Sequence, residues 1–319
     1  MSQKISSTSG NAKKHNTRSG TLLKKVIKYK YLYLIFIPVL VWYIIFCYIP
    51  MYGIIMAFQD YTMSKGFFAS PFVGLKNFRD LFNDDYFLRA FSNTVVIAVY
   101  RMLTEFPFSI ILALLLNEVR HMKYRKTIQT IIYLPHFLSW VIVASIFITI
   151  FSPEAGLVTT LFAAMGVQIP DVLTKADSFR SVLILTDIWK ESGWMTVIYV
   201  AAIAGINVQL YEAATIDGAG RWLQMWHVTL PGIRSTIVIM FILTLGQILT
   251  WGFDQVYNFY NPLVYDTGDI LDTYIFRTAL ADIRFSYAAA AGLFRSVICT
   301  ALLLISNNVV KLLGEESIY

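Results

Sequence analysis

The chain has 319 residues, of which 57% are hydrophobic and only 14% are charged, and its mean hydropathy is +0.59. This composition is typical of an integral membrane protein and excludes an ordinary soluble domain. The net charge of +6 does not indicate a nucleic-acid partner, because the basic residues lie at the edges of apolar runs and not on one basic face.

The cysteines and histidines follow no disulfide or metal-ligand spacing, so we expect no metal site. They are Cys47, Cys299, His15, His121, His136 and His227.

Residues 1–30 precede the first apolar run. They contain eight Lys or Arg residues and no Asp or Glu, which predicts a disordered basic tail. The apolar run that follows is too long for the hydrophobic region of a secretory signal and lacks a small-residue cleavage site. We therefore expect it to remain as a membrane anchor.

Six apolar stretches are long enough to cross a bilayer as helices, since a crossing needs about 20 residues. Their predicted bounds are about 31–58, 91–119, 127–151, 181–206, 232–251 and 287–313. The positive-inside rule places the basic tail and a basic loop at 120–126 on the cytoplasmic side. The sequence thus predicts an all-α cell-membrane protein, with six transmembrane helices in residues 31–319 and both termini in the cytoplasm. An amphipathic stretch at 73–82 is predicted to lie at the membrane interface.

Two opposite charges, Arg101 and Glu105, lie one turn apart near the middle of the second helix. Charges at that depth are functional candidates, as an ion or substrate element. The favoured interpretation is an intramembrane ion pair that fixes helix packing, because this spacing lets each charge neutralise the other.

The segment between the fourth and fifth helices, 212–231, is polar and reads EAATIDGAGRWLQMWHVTLP. Gly218 and Gly220 predict a turn between two short helical pieces, and Pro231 is suited to open the next helix. Charged and small side chains along the segment suit docking onto another protein. The candidate docking residues are Glu212, Ala213, Ala214, Asp217, Gly218, Arg221, Leu230 and Pro231.

This segment resembles the cytoplasmic signature of permease subunits of binding-protein-dependent ABC importers. Glu212-Ala213-Ala214, Gly218, Val228 and Leu230-Pro231 stand at the signature spacing, with Val228 where the family more often has Ile. The extension to Asp217-Gly218-Ala219 is similar to the carbohydrate-importer branch. The run YLPHFLSWVIVA at 133–144 resembles a Gram-positive subgroup that handles complex oligosaccharides.

The resemblance implies a type I ABC importer permease fold, with the 212–231 segment as a cytoplasmic coupling helix between helices 4 and 5. It also implies import of an oligosaccharide, polysaccharide-derived in this subgroup. The implied partners are a second, non-identical permease subunit, two ATP-binding subunits and an extracellular solute-binding lipoprotein. The chain has no GxxxxGK[ST] sequence to hold ATP phosphates, so it is not expected to be an enzyme. ATP and Mg²⁺ are expected on the partner subunit, with no cofactor on this chain.

Aromatic and polar residues occur together on the fourth helix and after the fifth. Sugars are bound by aromatic faces and a few polar groups in a largely apolar pocket, and the resemblance implies that the fourth helix lines the translocation path. An aromatic belt with snorkelling charges is the other interpretation. The candidate path residues are Trp189, Lys190, Glu191, Trp194, Tyr199, Trp251, Asp254 and Tyr257. Asp254, with Asp266, Asp269 and Asp272, could instead belong to a docking surface or a solvated loop.

Two rival functions stay open at this point. An ion-coupled secondary transporter or channel would use Arg101 and Glu105 and need no ATPase. A membrane-embedded enzyme would use Asp187 or Glu191 as an acid or base. The coupling segment argues against the first, and the lack of a partnered nucleophile or metal site argues against the second.

Overall fold

The computed structural model describes residues 28–167, 171–250 and 252–312, and its regular structure there is helical apart from one isolated bridge, Gln59 to Phe72. Residues up to Gly53 and residues from Ile54 onward form two separate compact units. Most of the predicted basic tail lies outside the described residues.

The helices are α1 (Lys30–Tyr43), α2 (Gly66–Ala69), α3 (Lys76–Phe82), α4 (Asp85–Glu118), α5 (Met122–Tyr133), α6 (Trp140–Ile150), α7 (Leu157–Ala164), α8 (Ala176–Ala204), α9 (Val208–Ile216), α10 (Arg221–Gln224), α11 (Leu230–Gly232), α12 (Arg234–Gln247), α13 (Phe253–Phe259), α14 (Tyr265–Gly268), α15 (Leu271–Leu280) and α16 (Phe285–Leu312).

The first unit is built on one apolar helical run. It starts with α1 and passes through a π-helical turn at Ile44–Tyr48, and the run as a whole, Lys30–Phe58, continues past Gly53 into the first residues of the second unit. Its 29 residues exceed the roughly 20 needed to cross a bilayer. The side chains of α1 are exposed, as suits a helix surrounded by lipid or by other membrane proteins.

The second unit contains two more single helices that are long and apolar enough to cross a membrane, Asp85–Glu118 and Phe285–Val309. Three bent helix pairs meet the same test. They are Met122–Phe137 with Trp140–Ile150, Ala176–Ala204 with Val208–Ile216, and Arg221–Gly232 with Arg234–Gln247. Counting each pair as one span gives up to six crossings, the number that the sequence predicts.

The third predicted helix, 127–151, is not continuous, and this part of the prediction is wrong. A 3₁₀ turn at Leu134–Phe137, which we call the elbow, separates α5 from α6, and the two parts differ in direction by 99°. Pro135 in this turn has no N–H to donate to a helical carbonyl. Ser139 then starts α6 as a new helix, because its Oγ accepts a hydrogen bond from Ile142 N at 3.3 Å.

The connection between α12 and α16 is largely core rather than solvated loop. Val256, Phe259, Val264 and Ile270 are buried in one apolar cluster with residues of α4, α6 and α8. Gly252 begins this connection with φ +102°, a backbone conformation that favours glycine. The helix α13 is therefore fixed against the long helices α4 and α8, which make the most extensive helix pair in the chain.

A second apolar cluster packs α3 against the start of α4 and against α15 and α16. It includes Leu81, Phe87, Leu271 and Tyr274. The predicted amphipathic stretch thus places its apolar side on protein, through Leu81, while the interfacial position stays a prediction.

A polar anchor lies beside this second cluster. The hydroxyls of Tyr274 and Tyr287 both donate to Asp84 Oδ2, at 2.8 and 2.9 Å. Partial burial acts to raise the pKa of Asp84, but these hydrogen bonds outweigh it and the pKa is lowered. The carboxylate at the start of α4 is therefore held in its charged form by groups from α15 and α16.

Leu81→Ala tests whether α3 is held by this core. Leu81 has no exposed surface, and truncation of a fully buried leucine costs about 2–5 kcal/mol. We expect the melting temperature of the detergent-solubilised protein to fall by several degrees. Leu75→Ala, at an exposed site six residues earlier, is the matched control and should leave it unchanged. Equal melting temperatures for the two variants would contradict the assignment.

Candidate functional site

A buried ionic group joins three helices at the centre of the second unit. Arg101 on α4 lies with its Nε 3.3 Å from Asp187 Oδ2 on α8, and both side chains are almost fully buried. The Arg101 guanidinium also donates to Gln255 Oε1 on α13. Gln255 Nε2 in turn donates to Leu183 O and to Thr186 Oγ1, each at 2.7 Å. Arg101 and Asp187 are thus an opposite pair, as burial in a membrane requires, and the buried Glu105 lies beside them.

The predicted Arg101–Glu105 pair is corrected by this arrangement. The ion pair that Arg101 forms is with Asp187 on the neighbouring helix and not with Glu105 on its own helix. The guanidinium is drawn towards α13, where it lies against Gly252 so closely that a Cβ there would meet Nη1 at 2.6 Å. Gln255 has no signal in the sequence, because its helix is not distinguishable there from a connecting loop.

A second polar group lies where the elbow meets α8. Lys190 Nζ donates to His136 O at 3.1 Å and to Glu191 Oε1 at 2.6 Å. The same ammonium lies 5.1 Å from the ring centroid of Trp140, a favourable cation–π distance. Glu191 Oε2 is 2.6 Å from His136 Nδ1. Lys190 is therefore nearly buried and fully engaged by its neighbours.

The candidate path residues separate into exposed and buried sets. Trp189 and Trp194 on α8 are 45% and 46% exposed, and Trp194 is stacked on His136 with centroids 4.6 Å apart. Tyr199 has no exposed surface and packs with Ile203 and other residues of an apolar cluster. Tyr199 is therefore not open to a substrate in this structure, and its prediction as a path residue is wrong.

The other candidates follow α12. Asp254 and Tyr257 are exposed on α13, and Tyr257 packs against Phe276 at 5.1 Å between centroids. Trp251 lies outside the described residues. His136 is a site residue that the sequence pattern does not predict; its signal is Pro135, which breaks the helix and turns the chain so that His136 contacts Glu191 on α8.

The predicted coupling segment forms two short helices joined by a turn. The first is α9 and the second is α10, with Gly218 at φ +79° between them. Gln224 Nε2 closes the turn by donating to Thr215 Oγ1 and to Ala219 O, each at 3.0 Å. At the base of the segment the Tyr211 hydroxyl lies 3.0 Å from Thr229 Oγ1. The segment is therefore a defined structure and not a loose loop.

The surface of this segment combines exposed charges with exposed apolar side chains. Glu212, Asp217 and Arg221 are exposed, and Arg221 Nη1 is 3.9 Å from Glu118 Oε2 at the end of α4. Ile216 is 86% exposed. Ala213, Pro231, Trp222 and Trp226 are also exposed, while Ala214 and Leu230 are half-buried. An apolar surface with a polar rim of this kind is typical of a protein interface.

Comparison with known proteins identifies the family. Residues 106–314 match the family described as the binding-protein-dependent transport system inner membrane component. The chain belongs to this family. It is 44% identical over 298 residues to the polygalacturonan/rhamnogalacturonan transport system permease protein YteP of Bacillus subtilis (strain 168), with 93% of each chain covered. It is 43% identical over 290 residues to the protein LplB of the same organism, with 91% of each covered.

A solved structure shows the same fold. A bacterial alginate ABC transporter, crystallised with its alginate pentasaccharide-bound periplasmic protein, contains a chain that matches with a TM-score of 0.86 and 38% identity. The match covers 93% of this chain and 99% of that chain. The predicted ABC importer permease fold is thereby confirmed, and the protein is a multi-pass membrane permease rather than an enzyme. Secondary transport and membrane-embedded catalysis do not describe this family.

Asp187→Ala tests the buried ionic group. It leaves the Arg101 charge without its carboxylate, and removal of one partner of a buried ion pair costs about 3–5 kcal/mol. We expect a large fall in melting temperature of the solubilised protein. The double variant Arg101→Met/Asp187→Leu should recover part of it, because neither charge of the pair is then left buried alone. Asp254→Ala, at an exposed carboxylate on α13, is the control. A single variant as stable as this control would contradict the role of the ion pair.

Proposed function

We propose that this chain is the permease subunit of an ATP-driven importer that moves a polysaccharide-derived oligosaccharide into the cytoplasm. This proposal rests on similarity over almost the full length of the chain to two kinds of relative. One is named for polygalacturonan and rhamnogalacturonan transport, and the other is an alginate transporter. Fragments of pectic polysaccharides are the first substrates to test, since that relative is 44% identical.

The assembly we propose contains this chain, a second and non-identical permease, two ATP-binding subunits and an extracellular solute-binding lipoprotein. ATP and Mg²⁺ bind on the ATP-binding subunits. Both termini of this chain lie in the cytoplasm, as the basic tail and the basic loop before α5 indicate. The segment α9–α10 then lies on the cytoplasmic side, where the ATP-binding subunits must be.

In this assembly the α9–α10 segment docks in a groove on an ATP-binding subunit. Its exposed Ile216 and Trp222 supply apolar contact, and Glu212, Asp217 and Arg221 supply polar contacts. Closure of the two ATP-binding subunits on ATP moves the docked segments as rigid bodies and turns the permeases from inward-facing to outward-facing. Directional transport requires that the ligand binds the two states of the permease pair with different affinities.

The translocation path lies along the middle of α8 in this proposal. Trp189, Glu191 and Trp194 keep exposed surface there, and polar groups in the middle of a membrane span face water or protein rather than lipid. Aromatic faces beside polar groups are suited to sugar rings. One six-helix subunit supplies one side of such a path, and the second permease supplies the other.

The first experiment is ATP hydrolysis by the purified assembly in liposomes, with and without the binding protein and galacturonan oligosaccharides. We expect loaded binding protein to stimulate hydrolysis, and Glu212→Ala to reduce that stimulation. A chain that purifies alone and moves solute down an ion gradient would contradict the proposal.

Gly218→Val tests the coupling role of the turn with a matched control. A side chain in the left-handed conformation costs roughly 1–2 kcal/mol and more for a β-branched residue, although Gly218 has open space around it. We expect normal membrane insertion with loss of stimulated hydrolysis and transport. Gly220→Ala should behave like wild type, since Gly220 has negative φ and equally open space. Normal transport by Gly218→Val would rule out the docking role.

A further inference from the structure

The connection between the first helical run and α4 is confined to one surface of the membrane. The run ends at Phe58 and α4 begins at Asp85, and both are long and apolar enough to cross a bilayer. The connection therefore starts and ends at the same surface. It is also tied to the first turn of α16, because Tyr61 N donates to Ser286 Oγ at 2.8 Å. Residues 59–84 thus lie level with the ends of two membrane spans, α4 and α16.

This connection has polar side chains on its inside. Gln59 and Ser70 are buried. Gln59 Nε2 donates to Phe67 O at 2.9 Å, and Ser70 Oγ donates to Gly66 O at 2.6 Å. Asn77 Nδ2 donates to Gln59 O at 2.9 Å. Three carbonyls of an irregular backbone are thereby hydrogen-bonded without water, as an apolar environment requires.

Large apolar side chains of the same connection are on its surface. Met63 is 70% exposed, Phe68 94%, Phe72 71% and Leu75 69%, and we call these four side chains the Met63–Leu75 patch. A single exposed apolar residue is normal in a protein, but a group of large ones marks a surface that contacts a membrane or another protein. Buried polar groups beneath exposed apolar ones are the reverse of the arrangement that water favours.

The charges of this connection determine which of these partners fits. Residues 61–79 contain Lys65, Lys76 and Arg79 and no Asp or Glu, and the three basic side chains are exposed. Lys and Arg can lay their apolar stems along an apolar surface while their charged ends reach lipid headgroups. Apolar side chains bordered by basic ones are typical of segments that lie in the membrane interface, and anionic headgroups complement the basic charge.

We propose that the Met63–Leu75 patch is inserted into the membrane interface, and that Lys65, Lys76 and Arg79 bind the headgroups of anionic phospholipids there. The same connection is bonded to α16 at Ser286 and packs on the start of α4 through α3. The lipid contact therefore holds the adjoining ends of α4 and α16 at a constant depth in the bilayer. This inference goes beyond the proposed function, since it depends on neither the substrate nor the ATP-binding subunits.

Fluorescence quenching tests the insertion directly. The full-length chain, with Cys47 and Cys299 replaced by serine, carries one bimane-labelled cysteine and is placed in lipid nanodiscs with the subunits that co-purify with it. We expect phospholipids with brominated acyl chains to quench the label at Phe72→Cys and at Leu75→Cys, and aqueous iodide to leave it bright. Lys175→Cys, at an exposed position just before α8, is the matched control. Its label should respond to iodide and several-fold less to brominated lipid.

The preference for a headgroup is tested by the choice of brominated lipid. At equal mole fraction, brominated phosphatidylglycerol should quench the label at Phe72→Cys several-fold more than brominated phosphatidylcholine, because basic residues near the surface attract anionic lipid. Adding Lys65→Gln/Lys76→Gln should reduce that difference, whereas adding Lys175→Gln should not. Equal quenching by the two lipids, with all the basic residues in place, would overturn the assignment of the headgroup.

Two results would overturn the insertion itself. If iodide quenches the labels at Phe72→Cys and Leu75→Cys and brominated lipid does not, the patch faces water and is open to a soluble partner such as the binding protein. If neither agent quenches them, another protein chain covers the patch. Both variants replace exposed side chains, so we expect them to fold, and the melting temperature of each labelled protein checks this.

Discussion

The Arg101 guanidinium lies between three helices at a depth where water cannot solvate it, and its neutralisation constrains the whole second unit. Asp187 supplies the opposite charge from α8, and Gln255 supplies a neutral acceptor from α13. A charge buried without these partners would be strongly destabilising. Helices α4, α8 and α13 must therefore keep one relative position, and the apolar cluster around Val256 and Leu183 packs about that position.

This constraint links the long helices α4 and α8 to the connection between α12 and α16. Gln255 belongs to the connection after α12, and it also bonds Leu183 O and Thr186 Oγ1 on α8. A helix that would otherwise lie on the surface is thereby drawn into the core. Asp254 and Tyr257 remain exposed on α13, and the hydrogen bonds of Gln255 fix the position of the helix that carries them.

The features that could be predicted from the sequence are those with local causes. The α9–α10 segment depends on Gly218, on short helices and on Pro231, all within twenty residues, and its two-helix form is as predicted. The membrane spans depend on long apolar stretches of sequence. An uncertainty of a few residues at each end does not change whether such a stretch is predicted to span. The break before α6 had a local signal in Pro135 and Ser139, but the apolar residues on both sides of it favoured one continuous helix.

The partners of buried charges could not be predicted in the same way. Glu105 is near Arg101 in sequence, whereas Asp187 and Gln255 are near it only after folding. Tyr199 is similar: its residue type suits sugar contact, yet the packing of α4, α8 and α12 covers it completely. Side-chain type indicates what a residue can bind, and only tertiary packing determines whether it is accessible.

The contact of Gly193 with the carbonyl of Ile132 has a mechanical consequence. Two backbones that touch with no side chain between them cannot slide past each other without a steric clash. The elbow and the centre of α8 therefore form a single stiff lever, reinforced by the Lys190 and Glu191 hydrogen bonds. A tilt of α8 therefore moves the elbow with it. The flexing needed for transport must then occur at the ends of the lever, such as the bend between α8 and α9, and not along its length.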